Sequence, residues 1–255
     1  MGLKIQLQMK TKNFLAICAK TVFALAAVVM MSSVFTACSK DNNDGDDTPV
    51  ITATTAKAVG ETIEIGFAKT DALPEVEGLE QVKKDEGKVT YKILSQTFRV
   101  KGEITTFYLN SGGLTKVEFT PGSRLTHVDL DGNQLSSLDV SMLSELGGFR
   151  CGRNNLKALR LAHNPKLRFL GCQENQITRL DLSKNTAMDL IICYKNQLTG
   201  ISLKLPRVKS GELDFKDESA GDTQFLTKDE VAAYKALNWK ARKYTNSGWR
   251  DYEGE

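Results

Sequence analysis

Hydrophobic positions in the middle of the chain recur every 21 residues. Ile104, Leu125, Leu146, Leu167 and Met188 each open a unit. Phe107, Val128, Phe149, Leu170 and Ile191 follow three residues later, and Leu109, Leu130, Cys151, Cys172 and Cys193 two beyond those. The i, i+2 alternation within each unit predicts a short strand with one buried face. A column of asparagines, Asn133, Asn154, Asn175 and Asn196, comes next, with Gly112 at the same place in the first unit. Leu114, Leu135, Leu156, Ile177 and Leu198 complete that bend. A second strand-like piece then returns: Val117 and Phe119, Leu138 and Val140, Leu159 and Leu161, Leu180 and Leu182, Ile201 and Leu203.

A fixed period of this length, with L-x-x-L-x-L/C-x-x-N-x-L in each unit, is the signature of a leucine-rich repeat, here five turns over residues 104–208. One turn cannot bury its own apolar side chains. The turns must therefore stack into a parallel sheet whose strands lie about 4.8 Å apart, with the columns forming a continuous core. The asparagine column falls where the backbone leaves the ladder. A buried amide can both donate and accept there, which predicts a structural ladder and not a ligand site. The pattern weakens at residues 140–146, where Leu143 stands in place of a second asparagine found at Asn164 and Asn185, and in the first turn. Irregular edges are expected at both places.

The predicted fold is thus a β-rich leucine-rich-repeat solenoid with little helix on its outer side, closed by caps that cover the open columns at each end. Residues 50–103 read as a small β cap, with strands at 51–55, 62–68, 89–93 and 97–102 and a polar linker near 83–88. Residues 209–255 read as a cap of helix plus hairpin. Leu213 and Phe215 mark a sixth strand one residue late, and Thr227 and Glu230 form a capping box that opens a helix with Val231, Tyr234 and Leu237 on one face. Residues 239–252 then form two strands around Asn246, Ser247 and Gly248, with Trp239 and Trp249 available to cover the last repeat.

The first 37 residues carry Lys4, Lys10, Lys12 and Lys20 and no acid, then the apolar run TVFALAAVVMMSSVF. Their architecture is that of a signal peptide, shorter than the roughly 20 apolar residues a spanning helix needs. FTAC at 35–38 resembles a bacterial lipoprotein box, which implies cleavage before Cys38 and lipidation of its thiol. Residues 38–49, SKDNNDGDDTP after that cysteine, hold nothing to bury and read as a flexible acidic spacer. They lack the spacing of a calcium loop. An acidic run directly behind a lipidated cysteine, together with units such as LRFLGCQENQITRLDLSKNTAM (167–188), resembles the leucine-rich-repeat surface lipoproteins of Bacteroidetes-type bacteria. That resemblance implies a body tethered to the outer membrane, exposed at the cell surface and used in adhesion or recognition.

Charge removes a further class of function. The formal charge is +3, but without the four leader lysines 30 bases face 31 acids. A near-neutral body with no basic stripe does not fit nucleic acid, whose affinity is built on contacts to phosphates. Two histidines and no nucleophile-elbow, phosphate-loop or dinucleotide motif leave catalysis without its usual players, and no cofactor is expected. His127, Asp129 and Asp131 share a sheet face and resemble an acid/base or metal set. Same-face neighbours along a strand are nearly 7 Å apart, so all three cannot reach one ion, and Arg150 on the next strand neutralises Asp129. An ion-pair patch is the favoured reading, and a hydrolase built on His127 the least favoured. With Cys18 in the leader and Cys38 lipidated, Cys151, Cys172 and Cys193 remain as buried free thiols in one column, poorly arranged for a disulfide or for zinc.

Positions between the inward columns form the exposed face of the sheet. Thr106, His127, Gly148, Phe169 and Leu190 make one column; Tyr108, Asp129, Arg150, Gly171 and Ile192 the next; Asn110, Asp131, Gly152, Gln173 and Tyr194 the third. Turns one to three are polar and charged, while Phe169, Leu190, Ile192 and Tyr194 gather as an apolar patch in turns four and five. Such a patch marks a partner site, with the aromatic residues as anchors and His127, Asp129 and Arg150 giving orientation. A tail folded over it is the competing reading. The expected function is non-enzymatic binding of a protein or glycan ligand by a lipid-anchored protein. The alternative is a structural or accessory subunit of an envelope nutrient-uptake complex.

Overall fold

The computed structural model describes residues 47–67 and 73–255. The leader, Cys38 and most of the acidic spacer lie outside the described residues. Strands β7 (Thr106–Tyr108), β9 (His127–Asp129), β10 (Gly148–Arg150), β11 (Phe169–Gly171) and β13 (Leu190–Ile192) are the first strands of the five turns, introduced here with their neighbours β8 (Leu114–Phe119) and β12 (Leu180–Asp181). They pair in parallel and in register, Phe107 to Val128 to Phe149 to Leu170 to Ile191. These five side chains and the flanking columns are almost fully buried in one continuous core. The architecture is a leucine-rich-repeat solenoid.

The return segments use the ladder sparingly. β8 pairs with the N-terminal cap, and β12 pairs with β14 (Leu203–Lys204) over two residues. Elsewhere each return closes through successive three-residue turns, Asn164 N to Leu161 O (3.1 Å) and Leu167 N to Asn164 O (3.1 Å) in the third turn. Backbone groups satisfied locally have nothing left to offer a neighbouring strand. Residues 140–146, expected to be irregular, keep the same pattern, with Leu143 N on Val140 O (3.0 Å) and Leu146 N on Leu143 O (3.1 Å). Leu143 fits because the amide for this turn comes from the next one: Asn164 Nδ2 donates to Val140 O (2.9 Å) and Leu143 O (2.8 Å).

At the N-terminal end lie β1 (Val50–Thr55), β2 (Thr62–Phe67), β3 (Glu75–Glu77), β4 (Leu79–Asp85), β5 (Lys88–Ile93) and β6 (Thr97–Lys101). β2, β5 and β4 extend the repeat sheet antiparallel beyond β7, and a second sheet runs in the order β3, β6, β1, β8. The stretch near 83–88, expected as a linker, is the end of β4, a turn at Glu86 and Gly87 (φ 77°) and the start of β5. Its lysines and acids are those of an exposed edge strand, where charge discourages pairing with another chain.

At the other end β15 (Gly211–Asp217) pairs with β13, Leu213 opposite Ile191, one residue late. Helix α1 (Lys228–Ala236) starts at a capping box in which Thr227 and Glu230 satisfy each other's backbone N–H, and it buries Val231 and Tyr234. The chain then returns as β16 (Trp239–Thr245), parallel to β15, and turns into β17 (Gly248–Asp251). Trp239 is fully buried and donates to Pro206 O (2.8 Å), sealing the last turn. Trp249 does not cap; it stays 37% exposed on the edge strand. Among the described residues, no helix is long and apolar enough to cross a membrane.

Candidate functional site

The sheet's outer face carries the predicted site residues, and the asparagine ladder is what holds that face in register. Asn133 Nδ2 donates to Leu109 O and Leu130 O (2.8 and 2.9 Å) while its Oδ1 accepts from Leu114 N (3.0 Å). Asn154 repeats this with Leu130 O, Cys151 O and Leu135 N, and Asn175 with Cys151 O, Cys172 O and Leu156 N. Asn196 does so with Cys172 O, Cys193 O and Ile177 N. Each amide thus ties the bends of two adjacent turns together.

Past the last repeat two cap side chains take over the same work. Gln224 Oε1 accepts from Asn196 N (3.0 Å) and Leu198 N (3.3 Å), and its Nε2 donates to Cys193 O (3.3 Å) and Phe215 O (2.7 Å). Asp222 accepts from Lys195 N (2.7 Å), where a further repeat would offer a carbonyl. Periodicity does not reveal these two, because neither is in phase with the repeat. Asn164 and Asn185 form a second buried column, Asn185 Nδ2 donating to Leu161 O and Asn164 O at 2.9 Å each.

The cysteine column lies directly behind the face. All three thiols are free and buried, and loss of solvation pushes the Cys172 thiol up to about 12 and the other two well above the ordinary range. They stay protonated and pack as small apolar groups.

On the outer face the structure joins residues that the columns had separated. A groove of about 660 Å³ runs across β7 to β11, lined by Tyr108, His127, Asp129, Arg150 and Phe169 and by the Arg168 and Asp189 ion pair. The His127 ring lies over Gly148, where a Cβ would come within 2.6 Å of its Cδ2. A side chain at 148 would push that ring aside. Arg150 Nε is 4.0 Å from Asp129 Oδ2, and the guanidinium carbon sits 4.8 Å from the Phe169 ring centroid. Phe169 therefore belongs to the charged half of the face as much as to the apolar half.

The two aspartates are occupied differently. Asp129 Oδ1 accepts from Asp131 N (3.2 Å), and the Asn110 amide, oriented to satisfy both its ends, donates to it at 2.8 Å. Asp131 turns toward the next strand and accepts from Gly152 N (2.6 Å). Burial, then the neighbouring Asp129 charge, hold its carboxyl above the ordinary range. The His127 Nδ1 and Thr126 Oγ1 are 3.0 Å apart. Among the described residues no group of three or more His, Cys, Asp or Glu could hold a metal ion.

Leu190, Ile192 and Tyr194 are part-buried at the far end of the face. The tail does not fold over them; it continues the sheet, setting Glu212 beside Leu190 and Asp214 beside Ile192. Tyr194 meets the Trp249 ring at 6.4 Å, Trp249 meets Tyr244 at 5.3 Å, and Arg242 lies 5.1 Å over Trp249. Tyr244 and Trp249 thus enlarge the predicted patch. The hairpin of the tail was legible in the sequence, but the parallel pairing of β16 on β15 was not, because the pattern had already slipped its period. Asp214 sits almost fully buried against Arg242 (2.9 Å), yet burial outweighs that cation and pushes its carboxyl up to about 6.

No protein-family model matches the chain, and no curated protein does. Among solved structures the chain is similar to the functional domain of InlJ from Listeria monocytogenes, described as including a cysteine ladder. The identity is 18% and the TM-score 0.39, over 53% of this chain and 34% of that one. The match thus spans about a third of that chain.

Proposed function

We propose that this protein is a non-enzymatic recognition protein, tethered to the outer membrane through Cys38 and exposed at the cell surface, that binds a protein or glycan partner through the outer face of its repeat sheet. The observation that carries this reading is the run of part-exposed Phe169, Leu190, Ile192 and Tyr194 in register on adjacent strands, extended by Trp249 and flanked by Arg150 and Asp129. Aromatic and arginine anchors beside apolar groups on a rigid scaffold are the composition of interface hot spots. His127, Asp129 and Asp131 serve in this reading as a polar wall, since both carboxylates already have backbone donors.

The test is retention of the full chain on a panel of immobilised glycans and matrix proteins, compared with Phe169→Ala, Ile192→Ala and Tyr194→Ala. Each variant is expected to lose at least ten-fold in affinity for whatever retains the wild type, with only a small change in thermal midpoint. Retention unchanged in all three would sink the reading. Protease digestion on intact and lysed cells, with Cys38→Ala as control, tests the tether. Digestion of the wild type in intact cells is expected, and protection until lysis would favour the uptake-complex alternative.

A further inference from the structure

We propose that the groove lined by Tyr108, Arg150 and Phe169 is a subsite for a carboxylated sugar, with Arg150 as the group that grips the carboxylate; this rests on the recognition reading above and names its ligand chemistry. Arg150 is the reason. Its guanidinium is held in place by the Phe169 ring at 4.8 Å and by the charge of Asp129 at 4.0 Å, a distance too long for a hydrogen bond. Among the described residues it donates no hydrogen bond, so a positioned fork of five N–H groups faces the groove unused. The neighbouring cation behaves differently: Arg168 spends Nε and Nη2 on Asp189 at 3.0 and 2.6 Å.

A planar fork with free donors matches a carboxylate in bidentate fashion. Asp129 does not use that fork here, because its Oδ2 stands 4.0 Å from Arg150 Nε, beyond hydrogen-bond reach, while Asn110 and the Asp131 N–H turn its Oδ1 the other way. His127 Nε2, with no partner among the described residues, offers a second contact on the same wall, its Nδ1 being taken by Thr126. A volume of about 660 Å³ falls within the range of small-ligand sites.

Two features favour a sugar over a peptide. β9, β10 and β11 are paired on both sides, so no backbone edge is open for an extended peptide to join. The rings of Tyr108 and Phe169 offer broad surfaces to the apolar face of a sugar ring, while the polar wall takes its hydroxyls and carboxylate.

The experiment is calorimetric titration of the full chain with trigalacturonate, with a neutral galactose trimer and with triglutamate. Trigalacturonate is expected to bind at least ten-fold more tightly than either, and Arg150→Gln to remove that preference at an unchanged thermal midpoint. Arg150→Lys, which keeps the charge and loses the fork, is expected to recover only part of it. Equal binding of the acidic and neutral sugars, or an Arg150→Gln variant that binds like the wild type, overturns the proposal. Tighter binding of triglutamate overturns it in favour of an acidic peptide. Tyr194→Ala, outside the groove, separates the two readings. If it weakens partner retention while Arg150→Gln leaves trigalacturonate binding untouched, the subsite fails alone. If neither variant changes anything, the recognition face fails with it.

Discussion

A single buried amide in the asparagine ladder satisfies two carbonyls and one N–H that the bend would otherwise leave without partners. Asn154 is the clearest case, since it lies between turns that are themselves buried. Asn154→Leu is expected to cost roughly 2–3 kcal/mol in denaturant unfolding, because Leu130 O, Cys151 O and Leu135 N lose their partner in a dry place. Asn196→Leu should cost less, as that amide is only part-buried and Gln224 stands beside it. Equal losses at the two positions would count against burial as the cause. Asp214 makes a prediction about pH. Its carboxyl is raised to about 6 in the folded chain against about 3.9 unfolded, so the folded state holds this proton more tightly. The stability this proton contributes is present below about 4 and is lost as pH rises through about 6. Asp214→Asn is therefore expected to raise the thermal midpoint at pH 8 and to change it little at pH 4. A lower midpoint at pH 8 would mean that the Arg242 ion pair outweighs burial.

The elements at the two ends solve the same problem by different means. The N-terminal cap continues the sheet with antiparallel strands, whereas the C-terminal cap imitates one more repeat, β15 supplying the strand, Gln224 the amide and Asp222 the acceptor. Gln224→Ala should accordingly behave like loss of an internal ladder residue, costing about 2 kcal/mol, although Gln224 belongs to no repeat. Trp239→Ala is expected to cost more, about 3–5 kcal/mol, because it opens a cavity against the last turn and orphans Pro206 O. Chemical unfolding of both variants checks the order. A Gln224→Ala protein as stable as the wild type would show that the cap works by packing alone. The first strands of the turns, the cap strands β1, β2, β5 and β6, the late sixth strand and the capping box of α1 were legible in the sequence, since each depends on residues close together in the chain, whereas β3 and β4 were missed and the return strands expected at 138–140 and 159–161 do not form. Gln224 and Asp222 were not legible, because their partners lie 26 to 31 residues away and no period announces them.

For the molecule as a whole, turns that touch only their neighbours make length an adjustable quantity. Deleting residues 155–175, one full period of 21, should leave every column in register and give a folded chain with one turn fewer, less stable and still cooperative. Deleting 155–174 shifts each later side chain to the wrong face and should not fold. Circular dichroism and thermal melts of the two deletions distinguish these outcomes. If both fold alike, the register argument fails.

The sequence by itself determined the repeat, the inward columns, the ladder and the outward residues, because a period of 21 repeats one set of neighbours and nearest-neighbour contacts follow directly from it. It also placed Arg150 beside Asp129, as residues on adjacent strands in register must be. Only the tertiary structure decided that Arg150 leans on Phe169 and leaves its donors free, that the His127 ring lies across Gly148, and that Trp249 joins Tyr194 instead of sealing the end. Those outcomes turn on side-chain direction and on a tail that leaves the period. Column arithmetic assigns a residue to a face, but which way a long side chain lies on that face is set by the space its neighbours leave.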